Sequence, residues 1–346
     1  MRRRALVLAL LAAPAARAEG IRRGRPIVFP RDHGAHLESR TEWWYATGWI
    51  GPFAAPTHGF QVTFFRSRTD LAGDNPSRFA PRQLLFAHAA LTDLRARSHR
   101  HAARIVRWDG RPGSALAGAA EADGDVHIGR WRLHHAGDTW HTTIDDAQVP
   151  LRLALRRTQP PLLQGDAGFS RKGPEERQAS HYVGEPQLAV SGPLGEGRGW
   201  MDHEWSDEIL AAEAVGWDWI GFNLDDGAAL TAFRLRRADG TALWAGGSFR
   251  PAGGAVRNFG PDEVLMTPGR TWTSGGSGAR YPVEWTVQTP AGRFAVRTLL
   301  DAQEVDGRGS TGTVYWEGLS ELLDAQGRRV GLGYLELTGY ASRLRM

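Results

Sequence analysis

The run Trp217-Asp218-Trp219-Ile220-Gly221-Phe222-Asn223-Leu224, then Asp226-Gly227, then Leu230-Thr231-Ala232-Phe233-Arg234-Leu235 reads as a strand, a tight turn and a returning strand. Aromatic and aliphatic residues come in short segments, and Asp-Gly supplies the positive-φ position that a narrow hairpin needs. The same pattern recurs along the chain. Gly59 to Phe65, Trp131 to His134 and Phe294 to Leu299 read as further strands, and Asp109-Gly110, Asp239-Gly240 and Ala291-Gly292 as further turns. Long apolar runs at helical period are scarce, while Gly (43) and Trp (14) are abundant. Many short strands at regular spacing predict an all-β chain of antiparallel sandwiches or barrels. Trp-rich β regions flank residue 200, which predicts two similar barrels in tandem.

Two segments depart from this pattern. Ser206 to Val215 reads as a short helix, with Ser206 as N-cap, acids in the first turn and Gly216 beyond the end. Gln164 to Gly184 is polar and Gly-containing, so it reads as a long loop, with a lid over a cavity as one role.

The N-terminus bears Arg2, Arg3 and Arg4, a short apolar run from Ala5 to Ala13, and Ala16-Arg17-Ala18. That order predicts a signal peptide over residues 1–18, cleaved after Ala18, and a periplasmic or secreted protein. The apolar run is too short to span a bilayer. Four of the 42 Lys+Arg lie in this leader and none of the 38 Asp+Glu, so the remaining chain has no net charge. The basic balance that would point to nucleic acid therefore disappears. Lys172 is the only lysine, which reads as composition bias because the arginines are dispersed. No cysteine is present, which excludes thiol catalysis, thiolate metal sites and disulfides. Phosphate loops, dinucleotide fingerprints and His-Glu-x-x-His helices are also absent from the sequence, so no cofactor is predicted.

The densest titratable cluster is Asp202-His203-Glu204-Trp205. In a strand Asp202 and Glu204 share one face and His203 takes the other. Imidazole is the usual acid–base group at neutral pH, so His203 with Asp202 or Glu204 is the candidate catalytic set, against a core histidine bonded to backbone. A second cluster is Asp32-His33-Gly34-Ala35-His36 with Glu42-Trp43-Trp44-Tyr45. His33 and His36 have the spacing to chelate a metal with Asp32 or Glu42; the other reading, a loop sealing a barrel end, assigns no metal. His88 interrupts an apolar strand, and Trp217-Asp218-Trp219 places its tryptophans on one face. His33, His36, Glu42, Trp44, His88, Trp217 and Trp219 are therefore the candidate ligand-binding residues. Glu304, Glu317 and Glu336 are acids in or near strands, where a carboxylate needs a partner.

These motifs resemble the AttH/carotenoid 1,2-hydratase (CrtC-like) family. The similar segments include Phe29 to His36, Glu42 to Gly48, His88 to Asp93, Leu162 to Ser170, Trp200 to Ser206, Gly216 to Trp219, Tyr315 to Gly318 and Gly333 to Tyr340. The resemblance implies two tandem lipocalin-like antiparallel β-barrels, over 25–206 and 207–346. It also implies a small apolar, lipid- or terpenoid-like client. In the hydratase branch water adds across a carbon–carbon double bond without a cofactor, and His203 and Trp205 match its His-x-Trp positions. The Tyr and Asp which that branch carries some thirty residues later are missing from Leu230 to Arg234. The exported, AttH-like branch is the nearer match, which implies a hydratase or hydrolase. The alternative is a periplasmic carrier or accessory of an ABC-type exporter.

Overall fold

The computed structural model describes residues 20–71, 73–77 and 79–344, so the leader assigned to residues 1–18 lies outside the described residues. The first sheet comprises β1 (Thr41–Ile50), β2 (His58–Arg68), β3 (Gln83–Asp93), β4 (Ser98–Trp108), β5 (Ala117–Ala119), β6 (Asp125–Ile128), β7 (Trp131–Ala136), β8 (Thr139–Ile144), β9 (Leu151–Arg156), β10 (Leu162–Leu163), β11 (Phe169–Arg171), β12 (Ala179–Gly192) and β13 (Gly195–Ser206). Its order is β4-β3-β2-β1-β13-β12-β9-β8-β7-β6-β5, with β10 and β11 also on β12. The end strands β4 and β5 touch without pairing, so the sheet is a nearly closed antiparallel barrel.

The second sheet comprises β14 (Ala214–Leu224), β15 (Ala229–Arg237), β16 (Ala242–Arg250), β17 (Arg257–Phe259) and β18 (Leu265–Pro268). After a separate small hairpin, β19 (Thr271–Thr273) with β20 (Arg280–Pro282), it continues with β21 (Glu284–Thr289), β22 (Gly292–Thr298), β23 (Glu304–Gly307), β24 (Thr313–Leu323) and β25 (Arg329–Leu337). Its order is β17-β16-β15-β14-β25-β24-β22-β21-β18, with β23 on β24.

The hairpin that opens the second sheet pairs Trp217 with Leu235, Trp219 with Phe233 and Phe222 with Leu230. Gly227 takes φ +92 in its turn, which an L side chain rarely adopts. Asp239-Gly240 and Ala291-Gly292 likewise join paired strands. Asp109-Gly110 does not: it follows β4, and the next strand, β5, lies at the other end of the sheet.

Three further layers of contact explain the alternation. Trp44, Ala46, Met201 and their barrel neighbours form one core, and Phe222, Trp285 and Trp316 belong to the core of the second sheet. Between them Tyr45, Trp49, Trp200, Trp219, Phe233 and Tyr334 form an apolar layer joining the two sheets. Strand β1 and the Gly199–Ser206 part of β13 are therefore buried on both faces, successive side chains entering different cores. Buried Asn223 acts as a clamp across the join: its amide accepts from Gln187 N at 2.7 Å and donates to Gly199 O at 2.9 Å.

The helix expected over Ser206 to Val215 is not formed. Ser206 ends β13, its hydroxyl donating to Ala179 O at 2.7 Å and accepting from Glu208 N at 3.1 Å, and the chain re-enters a strand at Ala214. The few residues between strands turn Ile209 and Ala211 inward instead. The loop expected over Gln164 to Gly184 is also shorter than read, because Phe169–Arg171 pairs with β12 and β12 begins at Ala179. Asn223→Ala should cost about 2–4 kcal/mol in chemical denaturation, since it leaves a buried N–H and a buried carbonyl unsatisfied.

Candidate functional site

The expected residues fall into three places. On the barrel side of β1 and β13, Glu42 is a buried hub. Its Oε1 lies 2.8 Å from His36 Nδ1 and 2.9 Å from His203 Nε2, and Arg66 Nε donates to Oε2 at 2.8 Å. His36 Nε2 reaches Asp32 Oδ1 at 3.0 Å, and His203 Nδ1 donates to the Asp32 carbonyl at 3.0 Å. Trp205 stacks on His36 at 3.7 Å, and Trp44 stacks on His203 at 4.8 Å. Burial alone would raise the Glu42 pKa, but Arg66 and the two imidazoles hold it well below the usual carboxylate range. Burial pulls His36 down, and its bonds to Asp32 and Glu42 outweigh that and raise it. For His203 burial prevails over the Glu42 bond and lowers it.

His36, Glu42 and His203 place three ligand-type atoms within 4.8 Å of one another. Those atoms already bond one another, and a dication there would face the Arg66 guanidinium. His33 and His36 do not converge: His33 Nε2 faces Arg157 at 3.2 Å and its ring stacks on Phe29. The chelating pair at that spacing is therefore not formed, and the His33 carbonyl instead accepts from Trp44 Nε1 at 3.0 Å.

The second place lies between the sheets. Asp202 and Glu204, on the other face of β13 from His203, enter a cavity of about 90 Å³ with Trp217 and Trp219. The strand thus separates His203 from both carboxylates beside it in sequence, as alternation requires. Tyr182 donates to Asp202 Oδ2 at 2.8 Å, and Trp200 Nε1 donates to Oδ1 at 2.7 Å. Burial pushes the Asp202 carboxyl well above its usual range, and those two bonds only partly offset it. A Cβ on Gly221 would lie 2.2 Å from the Trp219 ring, so glycine there leaves the indole its place on the cavity wall.

Three members of this cavity were not singled out from the sequence as site residues. Lys172, carried just past β11, reaches Glu204 Oε1 at 2.9 Å from a buried position. Glu317 and Glu336 stand directly opposite each other on β24 and β25, and both line the cavity. Glu317 Oε1 and the Tyr45 hydroxyl are buried and interact with each other, but neither completes a well-formed hydrogen bond among the described residues. Burial and the facing Glu336 push Glu317 well above the carboxylate range; burial pushes Glu336 up to about 7. The pair therefore holds at least one proton at neutral pH.

The third place is a wider cavity of about 530 Å³ that shares Phe65, Ile209, Trp217, Tyr315 and Glu336 with the first. His88 lines it and ties the sheets together, its Nδ1 2.9 Å from the Tyr315 hydroxyl and its Nε2 2.7 Å from Ser310 Oγ. Burial lowers the His88 pKa to about 4, so the ring is neutral.

The hub makes a direct prediction. Glu42→Gln should destabilise the protein by about 3–5 kcal/mol in urea unfolding, because Arg66 loses its buried counter-charge.

The comparisons with known proteins agree with this architecture. The AttH-like family model matches residues 20–340. A candidate AttH from Nitrosomonas europaea is 42% identical, with a TM-score of 0.84 over 93% of this chain and 99% of its own. Kievitone hydratase from Nectria haematococca is 14% identical, with a TM-score of 0.66 over 92% of this chain and 94% of its own. CghA in complex with Sch210972 is 15% identical, with a TM-score of 0.53 over 88% and 90%. At the last two identities the likeness is one of fold. No curated protein matches the sequence. The family match spans both sheets, and the all-β, lipocalin-like architecture is the one that the sequence motifs implied. The chain belongs to the AttH-like family.

Proposed function

We propose that this protein is a cofactor-independent, hydratase-like enzyme acting on a small, largely apolar molecule bound between its two sheets. The observation that carries this reading is the buried Glu317–Glu336 pair facing each other on an aromatic cavity. A carrier needs an apolar cavity alone, and two facing buried acids on its wall cost stability without improving the fit. Adding water across a double bond needs a proton donor, a surface that tolerates developing positive charge, and a base for water. Glu317 and Glu336 share a proton and supply the donor. Trp217, Trp219 and Phe233 offer π-faces to a cationic centre. Once it has donated, the pair carries one more negative charge and can take a proton back from the attacking water. The wider cavity has the size for the body of a terpenoid-like ligand, and the wall it shares with the inner cavity, Glu336 included, supports a pose with the alkene end near the acids. The kievitone hydratase fold likeness supports the reaction class, and the N-terminal leader motif supports a site of action outside the cytoplasm.

His203 has no part in this scheme. Its two ring nitrogens are bonded and it belongs to the barrel hub.

The reaction is tested by incubating linear terpenoid alkenes with the protein in heavy-oxygen water and following label in the alcohol. Glu317→Gln and Glu336→Gln should lower kcat by roughly 10²–10⁴-fold with little change in ligand affinity. Full activity in both variants would sink the assignment.

Glu336 also links stability to pH. Its folded pKa of about 7 lies above the ordinary 4.5, so between these values the unfolded chain has released a proton that the folded chain keeps. Stability therefore falls as pH rises through that window. Glu336→Gln should raise Tm more at about pH 8 than at about pH 4, and equal shifts at both would show that Glu336 is not held protonated.

A further inference from the structure

Of the 42 Lys and Arg side chains in the sequence, 41 are Arg. Among the described residues, other buried ion pairs use a guanidinium: Arg66 on Glu42 and Arg234 on Asp218. Lys172 is the exception, and its place is specific. Its neighbour Arg171 turns outward over Trp244 at 4.8 Å, while Lys172 is buried on the wall of the inner cavity. There Nζ lies 2.9 Å from Glu204 Oε1 and over the rings of Tyr182 and Phe233 at 4.7 and 4.3 Å. The strap after β11 is pinned in this pose by Lys172 N donating to Gln178 O at 2.7 Å.

What an amine offers and a guanidinium does not is a nitrogen that can lose its proton and attack carbon. The cavity also selects the partner. Among its lining residues Lys172 is the one cation and Glu204 already pairs with it, so an anionic head group would find no free counter-charge. A neutral carbonyl needs none.

We propose that Lys172 forms a Schiff base with the aldehyde or ketone group of an apolar ligand held in this cavity. The Lys172 ammonium gives a proton to Glu204, and the freed Nζ lone pair attacks the carbonyl carbon as the C=O π pair moves to oxygen. That oxygen takes a proton from the Asp202 carboxyl, and Asp202 recovers one from the new C–N nitrogen. Glu204 then protonates the hydroxyl, which leaves as water. The product is an iminium cation paired with the Glu204 carboxylate. One ammonium and one carbonyl have become one iminium and one water, with no change of oxidation state. This inference shares with the hydratase reading only the site, the cavity between the sheets.

The test is reductive trapping of the full chain with decanal and sodium cyanoborohydride, read by intact mass and peptide mapping. Lys172 and the α-amino terminus are the only primary amines, so the site of labelling is unambiguous. Lys172 should carry at least about ten times the label of the terminus, because the cavity holds the aldehyde beside it. Excess decanol should suppress that label, and Lys172→Arg should abolish it. Label confined to the terminus overturns the proposal. So does Lys172 label that decanol leaves unchanged and that glyceraldehyde matches, because that is simple accessibility. If Lys172→Arg does not fold, the wild-type labelling and competition arms decide alone. Trapping is read on the wild-type chain with no alkene present, so loss of hydration and loss of trapping are separate results.

Discussion

Along β1 and the Gly199–Ser206 part of β13 both faces are covered, and a strand can send neighbouring side chains only to opposite sides. The rest of the molecule depends on that constraint. Residue parity decides whether a side chain joins the barrel interior or the cavity between the sheets. Trp44 stacks on His203 inside the barrel while Trp43 and Tyr45 face the cavity. His203 bonds Glu42 while Asp202 and Glu204 on either side of it face away. A one-residue slip of β1 on β13 would exchange the two sets. The Glu42 hub, with His203 on β13 and Arg66 on β2, opposes such a slip and so keeps the cavity acids aimed.

The two faces treat buried carboxyls in opposite ways. Glu42 is ionised because a guanidinium and two imidazoles surround it. Asp202 and Glu317 lack such a cation and stay neutral, since a proton costs less than an unpaired charge in an apolar layer. The first arrangement gives rigidity, because every polar atom is engaged. The second leaves exchangeable protons beside a space of molecular size. Glu204 stands between these cases, neighbouring the neutral Asp202 yet bonded to Lys172.

Much of the fold could be read from local sequence. The Trp217 to Leu235 hairpin follows from turn chemistry and strand composition, and the opposed faces of Asp202 and His203 follow from alternation. Which face holds the cavity could not be read, because both are buried and the aromatic content of each is similar. The Glu317–Glu336 pair was hidden by a register shift. Counting out from the turn after β24, where Leu323 meets Arg329, would put Glu317 opposite Leu335. A bulge beyond Leu322 moves its partner to Glu336. The false helix at Ser206 has a similar origin. Its hydroxyl does bond a nearby N–H, but in a turn whose direction is set by the strands on either side. Lys172 was visible as a composition anomaly, and only its position beside Glu204 gives that anomaly a chemical meaning.

The acid pair straddles β24 and β25, and β25 lies in the sheet between β14 and β24 although it follows both in the chain. Ribosomes deliver a polypeptide from its N-terminus. The barrel strands and the Lys172 strap are thus available well before Glu336. Until the last strand inserts, Glu317 has no facing carboxyl to share a proton with, and the inner cavity lacks one wall. Completion of the cavity wall therefore waits for the last strand, and a chain interrupted anywhere before β25 lacks the facing acid pair.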